Sequence, residues 1–179
     1  MSEITDMYLV FKALEFAADK HRDQRRKDKE ATPYINHPIR VAMQVLEQEN
    51  ITDPAILCAA LLHDTIEDTE TSADELEQVF GAEITQLVLE VTDDKAQEKA
   101  VRKQAQVDHA PQLSVKARAV KLADKISNLR DVSQCPPPNW SLERRQEYFD
   151  WAKSVIDGLR GDWPELEAAF DEEYSKRPG

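Results

Sequence analysis

The stretch Ala59-Ala60-Leu61-Leu62-His63-Asp64-Thr65-Ile66-Glu67-Asp68-Thr69 decides how the rest of this sequence is interpreted. An apolar run, Ile56 to Leu62, leads directly into its polar half. Apolar runs of this kind form buried helices, and helical residues four apart lie on one face. Burial of charged groups is costly unless they are paired or bound to a metal. The stretch therefore predicts a functional site, and its polar members are His63, Asp64, Glu67 and Asp68.

The rest of the chain is also helical in pattern. Apolar residues recur at spacings of three and four, which is the period of amphipathic helices. Helix starts are indicated by Asp53-Pro54, Ser72 and Ser114, and Gly81 is a helix-end signal. The helix after Asp53 is predicted to continue to about Asp68. Since nothing alternates with the period of a strand, the prediction is an all-α bundle of about eight to ten helices in a single domain, 1–179.

One predicted helix differs from the others in its polarity. The stretch from Gln97 to about Asp108 is mostly polar, and Pro111 follows it. A helix without an apolar face is either short of core contacts or lines a cleft. Both interpretations remain open at this point.

The charge of the chain limits its partners. The 179 residues carry a formal net charge of −12. A nucleic acid polymer needs a broad basic face to offset its phosphates, so such a partner is not expected. The basic residues are nevertheless clustered, as in the run from Arg25 to Lys27. Confined basic patches suit a small phosphorylated ligand, although each cluster taken alone is also typical of a solvated helix face.

The sequence also predicts a cytoplasmic protein. No apolar run approaches the ~20 residues that a membrane span needs, so no membrane association is expected. The N-terminus has no basic segment of the kind that opens a signal peptide. The two cysteines, Cys58 and Cys135, are best interpreted as free thiols in a reducing compartment.

Four residues are candidates for a metal site. His37 precedes Pro38 at a predicted helix start, and His63-Asp64 follows the apolar run. Asp124 lies on the side of its helix opposite to the apolar stripe that contains Leu122. Two imidazoles and two carboxylates suit Mn²⁺, Fe²⁺ or Zn²⁺, and such a site could activate water. The alternative is that His63-Asp64 is a capped, hydrogen-bonded helix end.

Longer stretches around these residues match the motifs of a known family. They are Lys20–Asp28, Thr32–Pro38, Ala59–Thr69, Val91–Lys95 and Val120–Asp131, with a continuation into Trp140-Ser141 and Glu147-Tyr148-Phe149. In these stretches the chain resembles the HD-domain metal-dependent phosphohydrolases. Within them it resembles the RelA/SpoT-type hydrolase domain, and most closely the stand-alone small alarmone hydrolases of the Mesh1 type.

The resemblance implies roles for individual residues. It implies a metal-site core at about 33–132, with C-terminal helices at 140–176 packing on it. Metal ligands, usually for Mn²⁺, would be His37, His63, Asp64 and Asp124, and the pair that acts on the attacking water would be Glu67 and Asp68. Residues beside the nucleotide would be Arg25, Arg26, Lys27, Lys125, Asn128, Arg144 and Tyr148.

The function that the resemblance implies is hydrolysis of the alarmones (p)ppGpp. A metal-dependent guanosine-3′,5′-bis(diphosphate) 3′-pyrophosphohydrolase of the stringent response would release GDP or GTP and pyrophosphate. Two alternatives remain: the same pocket could dephosphorylate NADPH at its 2′-phosphate or act on another nucleotide, or the chain could bind alarmone as a regulatory module without turnover. The expected partner is a small phosphorylated nucleotide, and a homo-oligomer is also allowed.

Overall fold

The computed structural model describes residues 3–179, and these form an all-α bundle. Within this range there are ten α-helices, a 3-10 helix at Ala110–Gln112 and an isolated antiparallel bridge between Arg25 and Pro33. The prediction of an all-α fold with about eight to ten helices is confirmed. Residues 1 and 2 of the predicted domain lie outside the described range. The helices are α1 (Glu3–Lys20), α2 (Asn36–Glu49), α3 (Pro54–Leu62), α4 (Thr65–Asp68), α5 (Ala73–Phe80), α6 (Ala82–Val91), α7 (Lys99–His109), α8 (Val115–Gln134), α9 (Leu142–Asp157) and α10 (Pro164–Ser175).

The helix starts follow the capping residues of the sequence. Asp53 accepts a hydrogen bond from the backbone N–H of Ala55 and is followed by a proline in the first turn of α3. Ser72 and Ser114 accept backbone N–H groups at the starts of α5 and α8 in the same way. Such caps satisfy backbone donors that have no partner inside the helix. Gly81 separates α5 from α6 with a φ of +85°, a conformation that favours glycine.

Helix α3 forms the centre of the bundle. All its residues from Ala55 to Leu62 are buried. Helices α1, α2, α6 and α8 surround it, which explains why this helix is apolar on every side. The polar residues that follow α3 therefore begin inside the protein, where His63 is buried.

The predicted helix from Asp53 to Asp68 is interrupted, and that prediction is wrong in this detail. Helix α3 ends at Leu62 and α4 begins at Thr65. At the junction two side chains form hydrogen bonds with carbonyl oxygens of the last turn of α3. His63 Nδ1 lies 2.8 Å from Ala60 O, and Thr65 Oγ1 donates to Leu62 O at 2.7 Å. Side chains that bond to nearby backbone in this way compete with the helical ladder. At this junction Asp64 lies 3.7 Å from His37 of α2, and His63 lies 3.7 Å from Asp124 of α8.

The polar helix α7 covers the site without entering the core. None of its residues is buried, and it packs against α9. The indole Nε1 of Trp151 on α9 donates to the backbone oxygen of Lys103 at 3.0 Å. Both interpretations of the polar pattern thus hold in part, because α7 has few core contacts, with Val107 packed against the core, and it also lines cavities next to the site. Among residues 3–179, no helix is both long and apolar enough to span a membrane.

Candidate active site

The four candidate ligands come from separate parts of the chain and meet at one point. His37 lies at the start of α2, His63-Asp64 at the junction of α3 and α4, and Asp124 in the middle of α8. Nε2 of His37 lies 3.2 Å from Asp124 Oδ1 and 3.7 Å from Asp64 Oδ2. Nε2 of His63 lies 3.1 Å from Asp64 Oδ2 and 3.7 Å from Asp124 Oδ1. Donor atoms from His37, His63 and Asp124 all lie within 4.8 Å of one another.

The two imidazoles present free nitrogen atoms to this cluster. His63 Nδ1 donates to the backbone oxygen of Ala60, and its buried Nε2 makes no hydrogen bond to the described residues. His37 is equally buried, and its Nδ1 is 3.2 Å from Ser127 Oγ. Metal-binding histidines characteristically use their second nitrogen in this way, which orients the ring. The donor set therefore fits a divalent cation.

The electrostatics of the cluster also favour a cation. Burial opposes ionisation of Asp124, but Lys125 and the two imidazoles hold the pKa of this carboxyl well below its usual value. The pKa of Asp64 is also lowered, because His63 outweighs the effect of burial. Burial alone would lower the pKa of His63, yet Asp64 and Asp124 raise it to about 10. Two partly buried carboxylates thus hold a positive charge between them, and a metal ion can replace the proton.

Glu67 lies one turn beyond the cluster in a partly dry position. Its side chain is 18% exposed. Oε2 accepts the backbone N–H of Asp93 at 3.2 Å, and Arg102 approaches Oε1 at 3.6 Å. Burial, with the carboxylates of Asp93 and Asp64, raises the pKa of Glu67 to about 7. A carboxyl group with such a pKa can exchange a proton near neutral pH.

Asp68 is held from two sides. The amide Nε2 of Gln24 donates to Asp68 Oδ2 at 3.0 Å. Lys95, which is exposed, forms a short ion pair with Asp68 Oδ1. Both carboxylates, Glu67 and Asp68, line the same cavity of about 160 Å³ as the four candidate ligands.

Two larger cavities adjoin the small one, and together we call them the wide cleft. One, of about 450 Å³, shares Tyr34, Asp68 and Asn128 with the small cavity. The other, of about 440 Å³, shares Asp93 and Gln106 with it. The two larger cavities meet at a common wall formed by Lys27, Trp140 and Tyr148.

Three of the predicted pocket residues approach one another beside Asp124. Asn128 Nδ2 donates to Asp124 Oδ1 at 2.6 Å, and Arg26 donates to Asn128 Oδ1 at 3.1 Å. Arg26 also pairs with Asp131 at 2.6 Å. Lys125 is buried, with Nζ 3.3 Å from Asp124 Oδ2 and 4.5 Å from the ring centroid of Trp151.

The remaining predicted pocket residues lie further from the metal cluster. Lys27 and Arg144 are exposed and Tyr148 is half-buried, and all three line the wide cleft. Arg144 lies over the ring of Trp140, with 4.5 Å between its guanidinium carbon and the ring centroid. Arg25 is exposed and donates to backbone oxygens of its own loop, so it contacts only the rim of the cleft.

Sequence reasoning missed several residues of the site. Tyr34 donates its hydroxyl to Asp64 Oδ2 at 2.5 Å, and Gln24 and Lys95 both hold Asp68. Each of them lies inside a stretch that matches the family motifs, but their residue types alone gave no indication of a role. For Tyr34 a signal was available, since it precedes His37 by three residues, a spacing that places two side chains on one face of a helical turn.

The fold and the cluster of imidazoles and carboxylates are those of a known protein family. The HD domain family matches residues 13–150, and the chain belongs to this family. Membership implies a divalent metal, and the cluster of His37, His63 and Asp124 is suited to hold it.

The relatives of the chain narrow its assignment within the HD domain family. The chain is similar to the proteins named guanosine-3′,5′-bis(diphosphate) 3′-pyrophosphohydrolase MESH1 from Homo sapiens and Drosophila melanogaster. Identity is 54% over 168 residues, or 94% of each chain, for the human protein, and 49% over 164 residues, or 92% of each chain, for the fly protein. A solved structure, described as a metazoan ortholog of SpoT that hydrolyzes ppGpp and plays a role in starvation responses, superimposes with a TM-score of 0.92. It is 47% identical, and the match covers 94% of this chain and 95% of that one.

Proposed function

We propose that this protein is a guanosine-3′,5′-bis(diphosphate) 3′-pyrophosphohydrolase that converts (p)ppGpp to GDP or GTP and pyrophosphate. The observation that carries the proposal is one arrangement: a cluster of buried imidazoles and partly buried carboxylates, with Glu67 and Asp68 beside it, adjoins a cleft lined by cations and aromatic rings. The relatives that share this activity by name match the chain over more than nine-tenths of their length.

The proposed ligands are His37, His63, Asp64 and Asp124. A divalent cation held there would polarise a phosphoryl oxygen and acidify a water molecule. Glu67 accepts the proton of the attacking water, and its raised pKa suits this role near neutral pH. Asp68 orients the same water. The water oxygen bonds to the phosphorus attached to O3′, the O3′–P bond breaks, and pyrophosphate is released while O3′ takes up a proton.

The wide cleft supports a substrate with several phosphates. Lys27 and Arg144 supply positive charge along it, and Lys125 supplies positive charge in the adjoining small cavity. Positive charge that is fixed before the reaction contributes most where negative charge develops. The rings of Trp140 and Tyr148, whose centroids are 5.4 Å apart, offer flat apolar surface for a purine. Arg25, Arg26 and Asn128 complete the proposed binding residues on the side of the 450 Å³ cavity.

Further features of the proposal follow from chemistry. Mixed nitrogen and oxygen donors suit Mn²⁺, with Zn²⁺ or Fe²⁺ as alternatives. Cys58 and Cys135 are both free, which supports a cytoplasmic location. The net charge of −12 speaks against a nucleic acid polymer as partner, and a homo-oligomer remains allowed. We also propose that 1–179 acts as one hydrolase domain, with α9 and α10 packed on the metal-site core.

The test is a Mn²⁺-dependent assay with ppGpp and NADPH in parallel, in which released pyrophosphate and monophosphate are measured separately. We expect pyrophosphate from ppGpp. Monophosphate from NADPH at a higher kcat/KM would favour the phosphatase alternative. If calorimetry detects ppGpp binding but neither substrate turns over, the chain is a binding module and the proposal is wrong.

A matched pair of variants separates the two proposed roles. His63→Ala should lose metal and activity together, because a ligand is removed. Glu67→Gln should keep the metal and lose the rate. Exposed Glu77 on α5 provides the control Glu77→Gln, which should leave both properties unchanged. A fully active Glu67→Gln variant would contradict the role of this residue.

A further inference from the structure

We propose that Gln24, held in place by His21, is a positioning residue that orients the carboxylate of Asp68 towards the attacking water. The proposal rests on the function proposed above, and it assigns a role to two residues that lie outside the metal cluster. Among the described residues, neither Gln24 nor His21 lines the small cavity that holds the four candidate ligands. Both act on the reaction through Asp68.

A continuous chain of hydrogen bonds connects the three side chains. Nδ1 of His21 lies 2.6 Å from Oε1 of Gln24, and Nε2 of Gln24 lies 3.0 Å from Oδ2 of Asp68. His21 is only 2% exposed. Its ring packs against Tyr34 with centroids 4.9 Å apart, so the imidazole has a fixed orientation. The amide between a fixed ring and a carboxylate has little freedom to rotate.

The chemistry of the groups determines the direction of each hydrogen bond. A carboxylate only accepts, so the amide nitrogen of Gln24 faces Asp68 and the amide oxygen faces His21. That oxygen also accepts, and Nδ1 of His21 therefore carries the proton. In a neutral ring, Nε2 of His21 then carries the lone pair. Nε2 is buried and makes no hydrogen bond to the described residues, so Gln24 is the side-chain partner that the ring holds.

The backbone of the loop supports the same arrangement. The N–H of Gln24 donates to the carbonyl of His21 at 2.9 Å, and the carbonyl of Gln24 accepts the N–H of Tyr34 at 3.1 Å. The neighbouring bridge between Arg25 and Pro33 closes the loop. Gln24 is thus fixed through its main chain and its side chain, whereas Lys95, the other partner of Asp68, is an exposed lysine. A rigid partner determines the orientation of a carboxylate more strongly than a flexible, solvated one.

A direct contact with substrate is the competing role, because Gln24 also lines the 450 Å³ cavity. The two roles differ in their kinetics. Loss of a substrate contact raises KM, whereas loss of orientation at the water-activating group lowers kcat and leaves KM unchanged.

The experiment uses the Mn²⁺-loaded full chain and three variants. Gln24→Met keeps the length of the side chain but cannot hydrogen-bond, and His21→Phe keeps an aromatic ring at that position. The third is the double variant. We expect Gln24→Met to lower kcat for ppGpp about tenfold with KM unchanged, as for other residues that orient a reacting group. His21→Phe should lower kcat about threefold. The double variant should match Gln24→Met, since His21 acts only through Gln24, and effects in one unit do not add. Losses that multiply, or a raised KM, would overturn the proposal.

Two further variants keep the test decisive. Gln104→Met removes a similar donor from the surface of α7, where Gln104 bonds to Asp108 at 2.9 Å, and it should leave kcat unchanged. If His21→Phe does not fold, Gln24→Glu replaces it. A second carboxylate facing Asp68 should lower kcat further than Gln24→Met does, and an equal or higher kcat would refute the role.

Failure of the proposed function would be visible separately. If the unmodified protein turns over no ppGpp, the hydrolase assignment is wrong. Crystal structures of the variants then test the hydrogen-bond chain independently of activity. A rotated Asp68 carboxylate in Gln24→Met supports it. An unchanged carboxylate overturns it.

Discussion

Replacing Glu67 by glutamine should stabilise the metal-free protein while removing its activity. The carboxyl group lies in a partly dry position, 18% exposed, and its pKa is raised from 4.5 to about 7. Burial is the main cause, followed by the carboxylate of Asp93. The folded protein therefore holds the proton of Glu67 more tightly than the unfolded chain does, and ionisation at neutral pH destabilises the fold.

The magnitude follows from the difference between the two pKa values. A difference of about 2.5 units corresponds to on the order of 3 kcal/mol at 1.36 kcal/mol per unit. Stability is lost as the pH rises from about 4.5 to about 7 and is constant above that, because only in this interval does the folded state bind more protons than the unfolded state. Glutamine is neutral throughout and still accepts the backbone N–H of Asp93.

The assay is urea unfolding of the EDTA-treated protein at pH 8 and pH 5, with kcat measured on the Mn²⁺-loaded form. We expect Glu67→Gln to have the higher free energy of unfolding at pH 8, by 2 to 3 kcal/mol (about the value above), and a difference below about 1 kcal/mol at pH 5. The rate should fall at least about a hundredfold. Glu77→Gln should change neither quantity. Equal stability of Glu67→Gln and the unmodified protein at pH 8 would refute the desolvation of this carboxyl group.

Three further predictions concern the metal, the core and a helix start. Mn²⁺ at a hundred times its Kd should stabilise the unmodified protein by about 2.7 kcal/mol and so raise its Tm. His63→Ala should abolish this rise in Tm, and a retained rise would exclude His63 as a ligand. Leu122 is fully buried, so Leu122→Ala should lower the free energy of unfolding in urea by about 2 to 5 kcal/mol. A smaller loss would mean that the core relaxes around the cavity left by the side chain. Asp53→Ala removes the N-cap of α3 and should cost about 1 kcal/mol with kcat unchanged; a changed kcat would show that the cap affects the site.

The fold was largely predictable because each helix carries its own signals. The caps at Asp53, Ser72 and Ser114 are local features, and the structure confirms them. The interruption after Leu62 was not predictable, since the apolar pattern continues smoothly into the polar residues. It depends on hydrogen bonds from the His63 and Thr65 side chains to nearby carbonyl groups, and such bonds compete with a ladder that periodicity alone favours.

The candidate site was predictable only in part. The types of its residues pointed to metal chemistry, and the family resemblance selected the particular positions. The structure brings these side chains together, while their roles as ligands and bases stay predictions. The partners of Asp68 were missed, because Gln24 is 44 residues away in sequence and an amide has no characteristic pattern.

By itself the sequence determined the helical class, the helix starts and the residue types that can bind a metal, because these depend on periodicity and chemistry within a few neighbouring residues. Only the tertiary structure decided which groups meet. Asp124 reaches His37 from 87 positions away because α2 and α8 pack together beside α3. Glu67 is a candidate base because burial beside Asp93 raises its pKa to about 7, and that burial is also a property of the folded protein. The stretch after Leu62 thus supplies candidate ligands and a candidate base, and the bundle around it determines their protonation.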